Sequence, residues 1–436
     1  MRGCPVTRFV NALPRLAALL AALSAPVITL AAPSAAERQI VAAVDSRTDA
    51  AIALLAETVN VPSATENLAG VRAVADIYAR EFRALGFETE WVALPAAMRR
   101  AGHFVATHRG SGKGPRLLLI GHLDTVLQGE SFRREGPRAY GTGTSDMKGG
   151  NLVALEALRA LAASGQLQGM HVTVIFTGDE EDTGTPQSVT RKALLDAAAD
   201  SDIALAFEGG APGKAVIGRR GIGSWRLHVS GIQGHSSGVF GEERGFGAIY
   251  EAARILDQFR TQLREPNLTY NASVIVGGTN VSYDTASKSG TALGKTNVIP
   301  REVRVEGDIR YLGAAQFEAT RQKMLAIVAA NLPRTQAEIT VENEFPSMAP
   351  NPGSERILGV LDAVSRDLGA GPVVAQPPME RGAGDIAFVC SDGRLACLDG
   401  LGADGDNDHA PGEYLNLESL PLQTKRAALL MHRLTR

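Results

Sequence analysis

Residues 172–184 read VTVIFTGDEEDTG. The run Val172–Phe176 is dominated by apolar β-formers and stops at Gly178, and four carboxylates follow without a break, Asp179 to Asp182. A strand apolar on both faces needs cover on both faces, which is the habit of parallel sheets in layered α/β proteins. The acids pose a separate question. Like charges this close repel and cost stability unless something positive binds among them.

Outward from this stretch the pattern repeats. TPQSVTRKALLDAAA reads as a helix and DIALAFEGG as another apolar strand. Upstream, GGNLVALEALRALAASG predicts a helix of about 16 residues, and RLLLIGHLDTV predicts a strand over 116–121 running into a loop. Apolar strands alternating with helices give an α/β layered fold. Residues 37–85 read as helical in two pieces split by Pro62 and Ser63, the second ending on Gly86.

From about residue 219 the texture changes. IGSWRLHVSG alternates like a half-exposed strand. A helix (about 244–263), strands near 272–279 and 302–311, a helix (314–331) and a strand (337–344) follow. That β-α-β-β-α-β order matches a small ferredoxin-like unit. The expected division is therefore 1–36 as a signal segment, 37–218 and 346–436 as two parts of one α/β domain, and 219–345 as an insertion.

The first 36 residues hold Arg2, Arg8 and Arg15 and no acid, then an apolar run Leu16–Leu30 and an Ala-rich stretch. This reads as an export signal cut between Ala31 and Ala36, so that a periplasmic or secreted protein is expected. Its apolar core is short of the roughly 20 residues of a membrane span; an uncleaved anchor is the alternative. Without that segment the chain carries 41 basic and 47 acidic side chains, a net charge of −6. No basic stripe suggests nucleic acid, and no later segment suggests stable membrane insertion. Cys390 and Cys397 are either a disulfide or two buried small side chains.

In open α/β sheets ligands collect at the carboxyl ends of strands. His122 with Asp124, the acids 179–182, Glu208 and His409 all read as following apolar strands directly, and Asp146 sits in a Gly-rich loop that opens a helix. His, Asp and Glu on converging loops suit a divalent transition metal. Asp124, two residues beyond His122, can reach back to the other ring nitrogen and fix its tautomer.

The motifs GHLDTV, GTGTSDMKGG, TGDEE, FEGG and HAPGEY, in this order, resemble those of the co-catalytic zinc aminoacylase/carboxypeptidase family. Within it the chain is most similar to bacterial glutamate carboxypeptidases, and also to acetylornithine deacetylase and succinyl-diaminopimelate desuccinylase. The resemblance implies a three-layer catalytic domain with an inserted lid and dimerisation domain. It implies two divalent ions, expected to be zinc: one held by His122, Asp146 and Glu208, the other by Asp146, Glu181 and His409, with Asp146 bridging. Glu180 matches the general base, and Glu208 rather than Asp points to the acylase and carboxypeptidase branch. Asp179 is expected to orient the loop and Asp182 to face solvent.

In the insertion the resemblance implies a homodimer, with His235 donating to the oxyanion from the other subunit. Arg310 is expected to grip a substrate carboxylate, which a guanidinium does bidentately, and Asn297 to bind substrate. Gly384, in MERGAGDIAF, belongs to a Gly-rich loop that also meets that carboxylate. There the chain departs from the usual pattern, with Ala383-Gly384 where relatives carry Gly-Thr or Gly-Ser. The expected activity is hydrolysis of a peptide or N-acyl bond next to a free carboxylate, releasing a C-terminal amino acid from a small substrate. A deacylase of small N-acyl-amino acids, an aminopeptidase, or a non-catalytic metal- or peptide-binding protein of the same fold are the alternatives.

Overall fold

The computed structural model describes Gly3 and residues 33–436; nearly all of the expected signal segment lies outside the described residues. The first described helix, Ala35–Asp45, begins inside that segment. Ser34 and Glu37 form its capping box, each side chain accepting the other's backbone N–H.

Six strands make the main sheet, in the order Glu88–Ala93, Gly102–Arg109, His171–Thr177, Arg116–His122, Ile203–Ala206, Ala396–Leu398. The last four run parallel, and the strand Gly102–Arg109 is antiparallel to its neighbours. The Arg116–His122 strand shows why its apolar run is continuous. Leu117 and Leu119 enter one core, with the helices Gly149–Ala163 and Ser419–Leu434. Leu118 and Ile120 enter a second core on the opposite face, with the helix Lys192–Ala199 and the short helix Ile386–Cys390. Alternate side chains are thus buried on both sides, which is the three-layer α/β arrangement.

The second sheet has four antiparallel strands in the order Thr269–Gly278, Glu302–Tyr311, Gly221–Gly231, Thr335–Phe345. Helices Gly247–Gln262 and Ala314–Ala329 cover one face and share a core of their own with Trp225, Leu227, Val229, Val303 and Val305. The order and directions are those of a ferredoxin-like β-α-β-β-α-β unit.

Several local features differ from the sequence reading. The region 37–85 is three helices, because the chain also breaks at Ser46, where the Ser46 hydroxyl donates back to the Ala43 carbonyl and Arg47 turns to bond Glu156 at 2.8 Å. The hairpin of Glu88–Ala93 with Gly102–Arg109 was not anticipated; it forms a sheet edge, where charged residues interrupt the apolar pattern. A second unanticipated hairpin, Asn280–Asp284 with Ser289–Leu293, is rich in Ser, Thr and Gly. No helix among the described residues is long and apolar enough to cross a membrane.

Cys390 and Cys397 form a disulfide joining the short helix to the last sheet strand. Its ring is small, spanning a separation of seven residues. The double variant Cys390→Ala, Cys397→Ala is expected to lose about 2 kcal/mol in urea unfolding. An unchanged midpoint contradicts that expectation.

Candidate metal centre

The centre assembles at the carboxyl end of the parallel strands. His122 is the last residue of its strand and Glu208 follows Ala206 by two residues, while Glu180 and Glu181 lie on the loop after Thr177. His409 arrives differently. It lies beyond a two-residue strand, Gly405–Asp406, that belongs to a separate small sheet, and it has a left-handed φ of 62°.

Asp146 stands between the two imidazoles. His122 Nε2 lies 3.0 Å from Asp146 Oδ1, and His409 Nε2 lies 2.9 Å from Asp146 Oδ2. Glu208 Oε1 is 3.9 Å from His122 Nε2, and Glu181 Oε2 is 3.2 Å from His409 Nε2. Asp146 is presented by a turn in which Gly143 has φ 81°; a side chain there would press on Thr125 and Lys148.

These contacts define overlapping ligand sets. His122, Asp146 and Glu208 form one, Asp146, Glu181 and His409 form another, and within each set the ligand atoms lie within 4.8 Å of one another. A third grouping of His122, Glu180 and Glu181 puts Glu180 at the edge of the same cluster. Glu181 Oε1 is buried and has no hydrogen-bond partner. A mixed imidazole and carboxylate set, sharing one aspartate and holding an orphaned oxygen, fits two divalent cations.

Protonation is consistent with that fit. Asp146 and Glu181 hold a proton on His409, pushing it up to about 11. Burial, with Asp146 adding, pushes Glu208 up to about 8. Burial works against the charged form of His122, yet Asp124 and Asp146 raise it well above the usual imidazole value. Asp146 is also penalised by burial, but its bonds from His122 and His409 outweigh that and hold it well below the carboxylate range. Cations must displace the protons on His409 and Glu208. Ion binding at pH 7 is therefore expected to release protons, and affinity to fall roughly tenfold per released proton for each unit of pH below its pKa. Calorimetry in buffers of different ionisation heat checks this; equal heats in all buffers contradict it.

The family model for peptidases M20/M25/M40 matches residues 118–433. The chain belongs to this family. It is 27% identical over 394 residues to carboxypeptidase G2 of Pseudomonas sp. strain RS-16, covering 88% of each chain. It is 25% identical over 409 residues to succinyl-diaminopimelate desuccinylase of Gluconacetobacter diazotrophicus, covering 88% of this chain and 97% of that one. Its fold is similar to that of aminopeptidase PepT from Bacillus cereus, with a TM-score of 0.70, 18% identity and coverage of 89% of this chain and 98% of that one. As an M20 family member it is a hydrolytic enzyme of the metallopeptidase class with a candidate site for two metals.

The four acids of the opening stretch have four different environments in this M20 chain. Glu181 faces His409, and Glu180 stands at the cluster edge. Burial raises the Glu180 carboxyl well above its usual value, with Glu208, Asp385 and Glu181 adding and His122 opposing. Asp179 is fully buried and accepts from the Gly184 N–H at 3.0 Å and from Arg191 at 2.5 Å. Asp182 is exposed and pairs with Arg100.

Asp124 lies beside His122 Nδ1 as the sequence reading expects, with its backbone carbonyl making the shorter contact. The His122 Nδ1 contact is to the Asp124 backbone carbonyl at 2.9 Å, with the carboxylate 3.5 Å away. The carboxylate accepts the backbone N–H groups of Glu180 and Glu181 at 3.1 and 3.2 Å and the Thr65 hydroxyl at 2.7 Å.

Arg310 lies on the four-stranded sheet, His235 on a separate two-stranded pair and Asn297 just before the partner strand of that pair; none makes a hydrogen bond or ion pair with the acid cluster. The strand Gly234–His235 pairs with Val298–Ile299, and the Asn297 carbonyl accepts the Ser236 N–H at 2.9 Å, so His235 and Asn297 are close neighbours. Both are exposed. Arg310 donates to Asp308 at 3.1 Å. Gly384 packs on Arg219; a Cβ there would meet the guanidinium carbon at 3.0 Å.

Sequence reasoning missed two buried arginines. Arg219 bonds Asp399 at 2.5 Å and donates to the carbonyls of Gly382 and Ala383, fixing the Gly-rich loop. Arg191 bridges Asp179 and Asp385. It also missed Glu413, although that residue lies inside the quoted HAPGEY motif.

Proposed function

We propose that this chain hydrolyses a peptide or N-acyl bond next to a free carboxylate and releases a C-terminal amino acid. The supporting observation is the shared Asp146 cradle with the half-buried Glu180 at its edge. His122, Asp146 and Glu208 would hold one ion and Asp146, Glu181 and His409 the other, with zinc the metal in this reading. Two divalent ions bound there would supply a lowered pKa for an attacking water and polarisation of the scissile carbonyl. Glu180, as the ionised carboxylate, takes the water's proton and passes it to the leaving nitrogen. Asp124 keeps the base and its neighbour in place by holding both backbone N–H groups.

Arg310 receives the substrate carboxylate in this reading. Support comes from Arg220, whose charge is disfavoured by burial and by the nearby Arg310, and whose Nε is buried without a partner. Two guanidiniums with Asp308 between them leave positive charge for an anion. Asn297 and the loop at Gly384 complete that subsite, and His235 stabilises the oxyanion from a partner subunit.

A homodimer through the four-stranded unit is supported by exposed Phe240, Ile249 and Tyr250 beside the edge strand Thr269–Gly278, where Ile275 is 59% exposed. Residues 219–345 form the lid in this reading, and the basic, then apolar start of the chain directs export. A panel of N-acyl-amino acids and dipeptides, with and without chelator, tests the activity. Turnover untouched by chelation, or equal turnover of substrates lacking the carboxylate, sinks the proposal. Preference for N-succinyl or N-acetyl substrates over peptides favours the deacylase reading of the same centre.

A further inference from the structure

Glu413 is buried, 4% exposed, and lies four residues after His409. Its carboxylate accepts backbone N–H groups from Gly143 at 2.7 Å, Ser145 at 2.8 Å and Asp146 at 3.0 Å. Its own carbonyl accepts the Gly141 N–H at 3.1 Å. One residue thus grips the turn that presents Asp146 from both of its ends, and it does so from the loop that carries His409. A charged acceptor facing several N–H donors is a strong tie.

The two ligand sets depend on this tie unequally. His122 and Glu208 stand at or just beyond ends of paired parallel strands, so the sheet holds them. His409 stands on a loop with a left-handed backbone, its side chain 52% exposed, facing Asp146 and Glu181. Directly after Glu413 the chain joins the strand Tyr414–Asn416, which pairs with Arg138–Tyr140. The His409 loop is therefore tied down at Glu413, and to the same turn that supplies the shared aspartate.

We propose that Glu413 is a positioning residue that locks the His409 loop to the Asp146 turn and so builds the Asp146–Glu181–His409 cation site. This rests on the two-ion reading above. Gln in its place keeps one oxygen but turns an NH₂ toward N–H donors, and Asp keeps the charge but shortens the reach.

The test is zinc titration of the full chain against a chromophoric chelator, with no assay of turnover. Wild type takes up two ions. Glu413→Gln is expected to bind the Asp146–Glu181–His409 ion about 10–100-fold more weakly, the usual cost of losing a group that orients a ligand, and the other ion, which shares only Asp146 with that turn, by a smaller factor. Glu413→Asp falls between wild type and Glu413→Gln, and it carries the test if the Gln variant does not fold. Two ions at wild-type affinity in Glu413→Gln, or in Glu413→Asp alone if only that folds, overturn the inference even where the variant melts earlier. Equal weakening of both ions overturns the selectivity. A wild type that binds fewer than two ions overturns the two-ion reading itself, and the inference with it.

Discussion

Replacing Glu180 by glutamine is expected to lower turnover by roughly 10²–10⁴-fold, the range over which a positioned general base contributes, while both ions stay bound. The substitution conserves shape and removes the ability to take a proton. Neither Asp146-sharing ligand set includes Glu180. Its backbone is fixed independently, by the Asp124 carboxylate. Metal analysis of the variant beside its kcat on an N-acyl-amino acid separates the roles. Retained turnover moves the base elsewhere, and loss of an ion makes Glu180 a ligand.

The second large effect is on stability. Arg191 is 1% exposed at its side chain and holds Asp179 at 2.5 Å and Asp385 at 2.8 Å, themselves 0% and 3% exposed. Arg191→Met is expected to cost about 3–5 kcal/mol in urea unfolding, because it strands buried carboxylates without a counter-charge. The triple replacement of Arg191, Asp179 and Asp385 by apolar residues is expected to recover part of that loss. Activity is expected to fall as well. Asp179 organises the loop through the Gly184 N–H, and Asp385, which also accepts from Thr177 at 2.6 Å, follows directly on Gly384. A change below about 1 kcal/mol, the range of exposed pairs, contradicts this account.

The residues that converge at the centre were legible because sheet topology and chemistry agree there. A strand with no polar alternation must lie inside a parallel sheet, and the polar residues at its carboxyl end then have few places to go but one crevice. That places His122, the acids 179–182 and Glu208; the choice of Glu180 and Glu181 within the run rests on the motif resemblance. His409 converges too, but by a loop whose left-handed backbone leaves no period to read. Glu413 and Arg191 were not legible, since a buried charge reveals itself only through the partners it meets, which here lie 267 to 270 and 12 residues away in the chain. Asp124 was legible as the neighbour of His122 Nδ1, but spacing does not say that its carbonyl, at 2.9 Å, makes a shorter contact than its carboxylate, at 3.5 Å. The edge hairpin escaped because a half-exposed strand broken by charges looks like a loop.

The inserted unit has a hydrophobic core that shares no residue with the cores flanking the main sheet. His122, Glu180, Glu181 and Glu208 lie at or just beyond ends of main-sheet strands, whereas Arg310, Asn297 and His235, proposed above to meet the substrate, lie within 219–345. Packing changes within the insertion's core leave the supports of the metal centre untouched. In the proposed reading, where Arg310 and Asn297 meet the substrate, preference can drift in evolution while the metal centre stays constant. In this architecture a new specificity asks for repacking one small module rather than rebuilding an enzyme.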